Sequence, residues 1–174
     1  MDMTGEERIA ASREAVWAAL NDADVLRQCI PGCESLEMLS ATEMTARVRL
    51  QIGPVRATFQ GRVTLSDLDP PNGYRISGEG QGGVAGYANG GATVRLTDDG
   101  AGTLLRYEAK ADVGGKLAQL GGRLIDSTSK KLAGEFFEKF AALVGGPAQA
   151  PAAPAASEKK ESWWRRLWRR LFGR

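Results

Sequence analysis

Residues 44–65 read MTARVRLQIGPVRATFQGRVTL and alternate apolar with polar side chains on both sides of Gly53-Pro54. Strict alternation with a period of two predicts β-strands that have one apolar and one solvated face. The Gly-Pro pair between the two runs indicates a turn, so the strands should form an antiparallel hairpin. This hairpin decides the fold class, because its apolar face has to be covered by another element.

The same alternation predicts further strands of the same sheet on either side of the hairpin. These strands are residues 3–11, 74–82, 92–96 and 103–113. Turn residues separate them, most clearly in the stretch DPPNG at 69–73. The chain should therefore form a meander of about six antiparallel strands.

Helices are predicted near the start of the chain and after the last strand. Ser12 is a suitable N-cap for a first short helix, and a second covers residues 23–28. A long helical pattern runs from residue 114 to about residue 144, with Gly121-Gly122 marking a kink or a break. We predict an α+β fold in which this long helix covers the apolar face of the sheet.

Charge is unevenly distributed over the 174 residues. Residues 158–174 carry seven basic and two acidic side chains, whereas residues 1–157 carry 16 basic and 19 acidic side chains. The folded domain is therefore mildly acidic. This argues against nucleic acid as a partner, because nucleic-acid binders carry their basic residues on the folded surface.

The chemistry of the chain argues against an enzyme. Histidine is absent, which removes the commonest general base and metal ligand. Cys29 and Cys33 would need two further ligands to hold zinc, so we interpret them as small buried hydrophobic residues. We expect no catalytic residue, no metal site and no covalently bound cofactor.

The N-terminus has no secretory pattern, and no stretch approaches the roughly 18 apolar residues that span a bilayer. We expect a protein of the cytoplasm, with both thiols reduced.

Residues 163–172 predict an amphipathic helix with an aromatic and a basic half. The apolar half contains Trp163, Trp164, Leu167, Trp168, Leu171 and Phe172, and the basic half contains Arg165, Arg166, Arg169 and Arg170. This layout is typical of a helix that lies in the surface of an anionic membrane. The alternative is a helix that packs on its own domain or on a partner, against which the preceding linker and the all-arginine polar face argue.

Composition divides the chain into three parts. Residues 1–144 should form the ligand-binding domain, residues 145–157 an Ala/Pro-rich linker, and residues 158–174 the basic membrane-binding helix. We therefore expect a peripheral protein on the cytoplasmic face of the cell membrane.

The glycines at 78–83, in the stretch GEGQGG, have two interpretations. A phosphate-binding loop is excluded, because the strand does not run directly into a helix. The glycines either form bulges that curve the sheet or leave room for a ligand. Gly78 and Gly80 share the parity of Tyr74 and Ile76, so the inner face is hollow if that parity faces the long helix.

Several segments together resemble the family of the carbon monoxide dehydrogenase G subunit, which belongs to the START/polyketide-cyclase-like (SRPBCC) superfamily. The segments are AVW at 15–17, CIPGCE at 29–34, IGPV at 52–55, PPNGY at 70–74, GEGQG at 78–82, AGYA at 85–88 and GGKLAQLGGR at 114–123. The resemblance spans about residues 1–144. It implies a helix-grip fold, in which a bent antiparallel sheet surrounds a long C-terminal helix and an apolar cavity.

The resemblance also implies a partner, because family members accompany molybdenum hydroxylases of the carbon monoxide dehydrogenase type and are linked to their membrane attachment. It supplies no catalytic residue. We expect a membrane-tethered protein that recruits the hydroxylase and carries or presents a lipophilic small molecule, an isoprenoid quinone. The alternatives are a recruiter without ligand transfer, and a cyclase or hydrolase of the same fold, which should place acid-base groups in the cavity.

The candidate ligand-binding residues are those expected to face the cavity. On the sheet they are Phe59, Tyr74, Ile76, Gly78, Gly80, Tyr87, Val94, Leu105 and Tyr107, and on the long helix they are Leu117, Leu120, Gly121, Leu124 and Ile125. The glycine pairs at 114–115 and 121–122 bracket the start of this helix, so we predict that the segment between them moves as a gate.

Overall fold

The computed structural model describes residues 1–145, which form a seven-stranded antiparallel sheet and three α-helices. The strands are β1 (Asp2–Ile9), β2 (Cys33–Met38), β3 (Glu43–Ile52), β4 (Val55–Asp69), β5 (Gly73–Gln81), β6 (Tyr87–Asp99) and β7 (Gly102–Gly114). The α-helices are α1 (Arg13–Leu20), α2 (Ala23–Cys29) and α3 (Gly122–Gly145), and 3-10 helices span Gly83–Ala85 and Gly115–Leu120. The predicted linker, apart from Gly145, and the predicted membrane helix at 158–174 lie outside the described residues.

The strands are arranged in the order β1-β7-β6-β5-β4-β3-β2. Strands β2 to β7 are neighbours in sequence as well as in space, and β1 pairs with β7 at one edge. Helix α3 follows β7 and packs with α1 and α2 on the sheet's inner face. The predicted α+β fold with a bent sheet and a long C-terminal helix is confirmed.

Side-chain caps start the two short helices where the sequence predicted them. The Ser12 hydroxyl accepts a hydrogen bond from the Ala15 amide at 3.2 Å, and an Asp22 carboxylate oxygen accepts one from the Asp24 amide at 2.9 Å. Among the helices of residues 1–145, none combines the length and the apolar character needed to cross a membrane.

The sheet differs from the prediction in strand number and strand length. Strand β2 was not predicted, because its sequence CESLEM is short and carries few apolar residues. It forms through backbone pairing with β3, which places Leu36 opposite Ala46. Strands β4 and β6 extend past their apolar alternation for the same reason, since hydrogen bonding to neighbouring strands does not depend on side-chain type.

The predicted long helix is broken where the glycine pair indicated. Residues Gly115–Leu120 form a 3-10 helix, and Gly121 adopts a φ of 87° before α3 begins. Only glycine takes up this conformation without strain, so Gly121 separates the two helices.

The interior is divided into a large core and a small one. In the large core, Phe140 of α3 is fully buried and stacks on Phe136 with ring centroids 5.7 Å apart. The small core lies at the other end of α3 and contains Phe59, Ala85 and Leu117. Between the two, side chains on the inner face of the sheet become small.

Candidate ligand-binding cavity

An apolar cavity of about 360 Å³ lies between the first half of α3 and the inner face of the sheet. Its lining consists of Met1, Ile30, Val48, Leu50, Ile52, Phe59, Gly80, Ala88, Ala111, Val113, Leu117, Ile125, Thr128, Ser129 and Leu132. The volume falls at the lower end of the roughly 300–1,000 Å³ that is usual for small-molecule sites. Among these described residues there is no charged side chain, so the cavity is suited to an uncharged, largely apolar ligand.

The floor of the cavity exists because small residues meet across four strands. One row of directly paired residues crosses β4 to β7 as Gly61, Gly80, Ala88 and Val113, and the next row crosses as Val63, Gly78, Gly90 and Ala111. Directly paired residues project to the same face of a sheet, so each glycine removes a side chain from the inner surface.

The pairing also decides between the two interpretations of the glycines. The ladder between β4 and β5 is continuous through Gly78 and Gly80, and its only register shift among the described residues lies between Ser66 and Asp69. The glycines therefore form no bulge. They leave open space above the sheet instead, since a Cβ atom built on Gly80 would have its nearest neighbours at 3.9 and 4.0 Å.

Large aromatic side chains fill the other half of the inner face. Tyr74 meets the edge of Trp17 at a ring-centroid distance of 5.2 Å, and Tyr107 stacks on Phe137 at 5.4 Å. These contacts close the space between the sheet and the second half of α3. The cavity is thereby confined to the first half of the helix.

The roof of the cavity is one face of α3. Ile125, Thr128, Ser129 and Leu132 follow the spacing i, i+3, i+4 and i+7, which places them on one side of a helix. Leu117 of the preceding 3-10 helix is 2% exposed and adds to the wall.

Four of the candidate ligand-binding residues line this cavity. They are Phe59, Gly80, Leu117 and Ile125. Phe59 can lie across the sheet because Gly82 has no side chain, since a Cβ atom there would come within 2.5 Å of the phenyl ring.

Five candidates share the correct face but lie in the closed core, so the prediction that they line the cavity is wrong. They are Tyr74, Ile76, Val94, Leu105 and Tyr107. Parity placed them correctly on the inner face, but parity does not tell which half of that face the large side chains fill.

Two further sheet candidates lie outside the lining for different reasons. Gly78 belongs to the adjoining row, where a Cβ atom would contact Val63 at 3.7 Å. Tyr87 has the opposite parity to Ala88 and is 42% exposed, and its ring covers Gly114 on the outer face. The prediction that Tyr87 faces the cavity is therefore wrong.

Three helix candidates surround the cavity without lining it. Leu120 packs against the small core. Leu124 lies beside the β3–β4 turn, where a Cβ atom on Gly53 would be 2.7 Å from its Cδ2. Gly121 forms the junction between the two helices.

Most of the lining comes from residues that were not among the candidates. The missed residues are Met1, Ile30, Val48, Leu50, Ile52, Ala88, Ala111, Val113, Thr128, Ser129 and Leu132. The alternation that predicted β3 already placed Val48, Leu50 and Ile52 on its apolar face, so their orientation was predictable. The two hydroxyl residues were missed because they interrupt the apolar stripe of α3.

Titratable groups on the inner face lie away from the cavity. Glu7 pairs with Leu105 and so faces inward, and burial raises the pKa of its carboxyl group. Burial, and then the charge of Glu7, raises the pKa of Tyr107. Burial also raises the pKa of both thiols, Cys29 and Cys33, which favours their neutral form.

The segment at Gly115–Leu120 is held by close glycine contacts. Gly115 has a φ of 71° and Gly86 a φ of 111°, and a Cβ atom on Gly115 would lie 2.6 Å from the Gly86 Cα atom. This segment therefore packs backbone to backbone on the neighbouring turn. Only Leu117 anchors it in the interior with a fully buried side chain.

Comparison with solved structures supports the fold assignment. A conserved protein from Geobacillus kaustophilus is 30% identical, with a TM-score of 0.79 over 83% of this chain and 95% of that one. The ZhuI aromatase/cyclase from Streptomyces sp. R1128 is 14% identical, with a TM-score of 0.59 over 87% and 98% of the two chains. Ara h 8.0201 is likewise 14% identical, with a TM-score of 0.60 over 83% and 97%.

At this low identity the last two similarities show the helix-grip fold alone. No curated protein matches the sequence significantly. The sequence profile of CoxG, the G subunit of carbon monoxide dehydrogenase, matches residues 5–145. Because this match covers most of the chain, the protein belongs to the CoxG family of carbon monoxide dehydrogenase.

Proposed function

We propose that this protein binds a respiratory quinone in the cavity under α3 and carries or presents it to a molybdenum hydroxylase of the carbon monoxide dehydrogenase type. The observation that carries the proposal is the apolar, roofed cavity in a chain of this family. Electrons from such a hydroxylase have to reach a quinone that is dissolved in the bilayer. A protein that withdraws the quinone from the bilayer brings the acceptor to the enzyme.

The chemistry of the lining supports an isoprenoid ligand. Burial of apolar surface contributes about 25 cal/mol per Å², and a ligand of this kind needs few polar contacts. A cavity of about 360 Å³ can hold the ring and the beginning of a tail. The remainder of a long tail then leaves between α3 and the sheet.

The membrane tether is proposed from the sequence. The basic aromatic segment at 163–172 attaches the protein to anionic lipids on the cytoplasmic face of the membrane. The linker keeps the domain close to that surface while leaving the hydroxylase accessible.

The proposed role is not catalytic. No acidic or basic side chain lines the cavity within residues 1–145, so the lining offers no general acid or base. The aromatase/cyclase shares the fold but only 14% of the sequence, and fold alone does not transfer an activity.

The proposed entry route is the segment at Gly115–Leu120. Glycines with positive φ at 115 and 121 flank it, and they allow backbone rotation at low cost. Leu117 is the side chain that has to leave the wall when the segment opens.

The test replaces a floor glycine of the cavity in the full chain. Gly80→Leu should project its side chain into the cavity without a backbone clash, because a Cβ atom fits there. Gly134→Leu is the matched control, since Gly134 is exposed on α3 and a Cβ atom there meets nothing within 4 Å. Both variants are purified from membranes of a quinone-containing host, and extracted quinone is quantified by mass spectrometry.

The parent and Gly134→Leu should retain quinone, whereas Gly80→Leu should lose most of it and should not couple the hydroxylase to respiration. Equal quinone in all three proteins would contradict binding in this cavity. A folded Gly80→Leu variant that supports electron transfer as well as the parent would leave recruitment, without ligand transfer, as the function.

A further inference from the structure

Two hydroxyl groups interrupt the apolar lining of the cavity. Thr128 and Ser129 occupy consecutive positions on the roof helix, between the apolar positions Ile125 and Leu132. Both residues are half-buried. They are the polar side chains of a lining that is otherwise built from aliphatic, aromatic, methionine and glycine residues within residues 1–145.

Other hydroxyls of the domain are bonded to the backbone, whereas these two are not. Serine and threonine within helices commonly bond a carbonyl oxygen of the preceding turn, and Ser127 does so, donating to the Leu124 carbonyl at 3.1 Å. The part of the chain that the structure describes shows no corresponding side-chain bond for Thr128 or Ser129. Thr103, a buried hydroxyl of the large core, is likewise satisfied, because it donates to the Ala11 carbonyl at 2.7 Å.

Such hydroxyls are unfavourable in an apolar cavity unless water or a ligand satisfies them. A ligand that fills the cavity displaces water, so it has to replace the lost hydrogen bonds or leave both groups unpaired. A purely hydrocarbon ligand leaves them unpaired. A ligand with a carbonyl or hydroxyl oxygen at the right place does not.

We propose that Thr128 and Ser129 bind the polar head of the ligand and so determine its orientation and its class. The class is an uncharged lipid whose head carries hydrogen-bonding oxygens, such as the ring carbonyls of a quinone, with the apolar tail lying on the Gly80 and Ala88 floor. A carboxylate head is disfavoured, because no charged side chain in the lining compensates its charge. This assignment rests on the proposed function, since it assumes that a lipophilic ligand occupies the cavity.

The test compares three probes with the same chain length and different heads: decylbenzoquinone, decylbenzene and decanoate. Dissociation constants are measured by calorimetric titration at neutral pH, with the ligands delivered from cyclodextrin. The full chain should bind decylbenzoquinone about tenfold more tightly than decylbenzene, which is the effect of roughly one to two hydrogen bonds. Decanoate should bind more weakly than decylbenzoquinone.

The double variant Thr128→Val/Ser129→Ala removes both hydroxyls with little change in volume. It should bind both neutral probes with similar affinity, because only the preference for the polar head is lost. Ser127→Ala is the matched control, since Ser127 is exposed on the same helix turn, and it should retain the preference. Should the double variant not fold, Thr128→Ser and Ser129→Ala are measured singly, and only the second should reduce the preference.

A preference that persists without the hydroxyls would overturn the assignment, as would a parent protein that does not distinguish the two neutral probes. Decanoate binding as tight as that of decylbenzoquinone would overturn the ligand class. If the parent binds none of the probes, the proposed function fails together with this inference. If the Gly80→Leu variant loses both neutral probes while the hydroxyl variant keeps its preference, the cavity stands and only the inference fails.

Discussion

Gly80 lies directly opposite Gly61 in the β4–β5 ladder, so two neighbouring strands place no side chain on the same part of the sheet's inner face. The aromatic pair formed by Tyr107 and Phe137 fills the other half. The contrast between these two pairs accounts for a sheet that is closed against α3 at one end and open at the other.

The floor glycines should differ sharply in their tolerance of a side chain. Gly80→Ala should change the free energy of unfolding by less than about 1 kcal/mol, since a Cβ atom there makes only ordinary contacts. Gly73→Ala should cost about 2–4 kcal/mol, because its Cβ atom would overlap the Val94 carbonyl oxygen. Urea unfolding of both variants checks this, and similar costs would contradict the description of the floor as open.

Phe140 should be the main anchor of α3. Its side chain is 0% exposed and stacks on Phe136, so Phe140→Ala should destabilise the fold by about 3–5 kcal/mol through the lost burial and the cavity left behind. Leu143→Ala, three residues later and 49% exposed, should stay within about 0.5 kcal/mol of the parent. Thermal or urea unfolding measures both, and a large effect of Leu143→Ala would indicate a contact that residues 1–145 do not contain.

The inward-facing carboxyl group of Glu7 should make stability fall as pH rises. Its pKa in the folded protein lies above the ordinary value of 4.5 because burial disfavours the charged form. The folded state therefore binds the proton more tightly than the unfolded state, and this contribution to stability is lost as pH rises through the raised pKa.

Glu7→Gln should remove this pH dependence. The variant should gain stability relative to the parent as pH rises from below 4.5 towards 7, and the gain should then level off. Urea unfolding across this range gives the comparison. The same substitution should lower the pKa of Tyr107, measured by tyrosine absorbance, because the neighbouring charge that raises it is removed.

Deletion of residues 158–174 should release the protein from vesicles that contain anionic lipids. The described fold should be unaffected, because α3 ends at Gly145. Co-sedimentation with vesicles and the circular dichroism of the deleted form check the two statements. Equal sedimentation with and without the segment would contradict its role as the membrane anchor.

The aromatic and basic halves of that segment should contribute differently. Alanine in place of its three tryptophans should weaken vesicle binding even at high salt, since apolar insertion is not screened. Glutamine in place of the four arginines at 165–170 should remove the salt-dependent part, about 1 kcal/mol per arginine near the surface. Binding measured as a function of salt concentration separates the two contributions.

The sequence alone determined the elements and the class of the fold. Alternation at 44–65 predicted β3 and β4 because a period of two follows from local backbone geometry. Gly121-Gly122 predicted the break before α3 because positive φ is a local preference of glycine. Strand β2 escaped prediction because its pairing with β3 depends on a neighbour and not on its own side chains.

The location of the cavity was decided only by the tertiary structure. Parity correctly assigned Tyr74, Leu105 and Gly80 to one face of the sheet, but it did not show that α3 presses aromatic side chains onto the first two and leaves the third open. Thr128 and Ser129 gained significance in the same way, since a hydroxyl on a helix has no special chemistry until an apolar wall faces it. Periodicity is a property of one strand or helix, whereas a cavity is the space that several elements fail to fill together, and that depends on the volumes of side chains far apart in sequence.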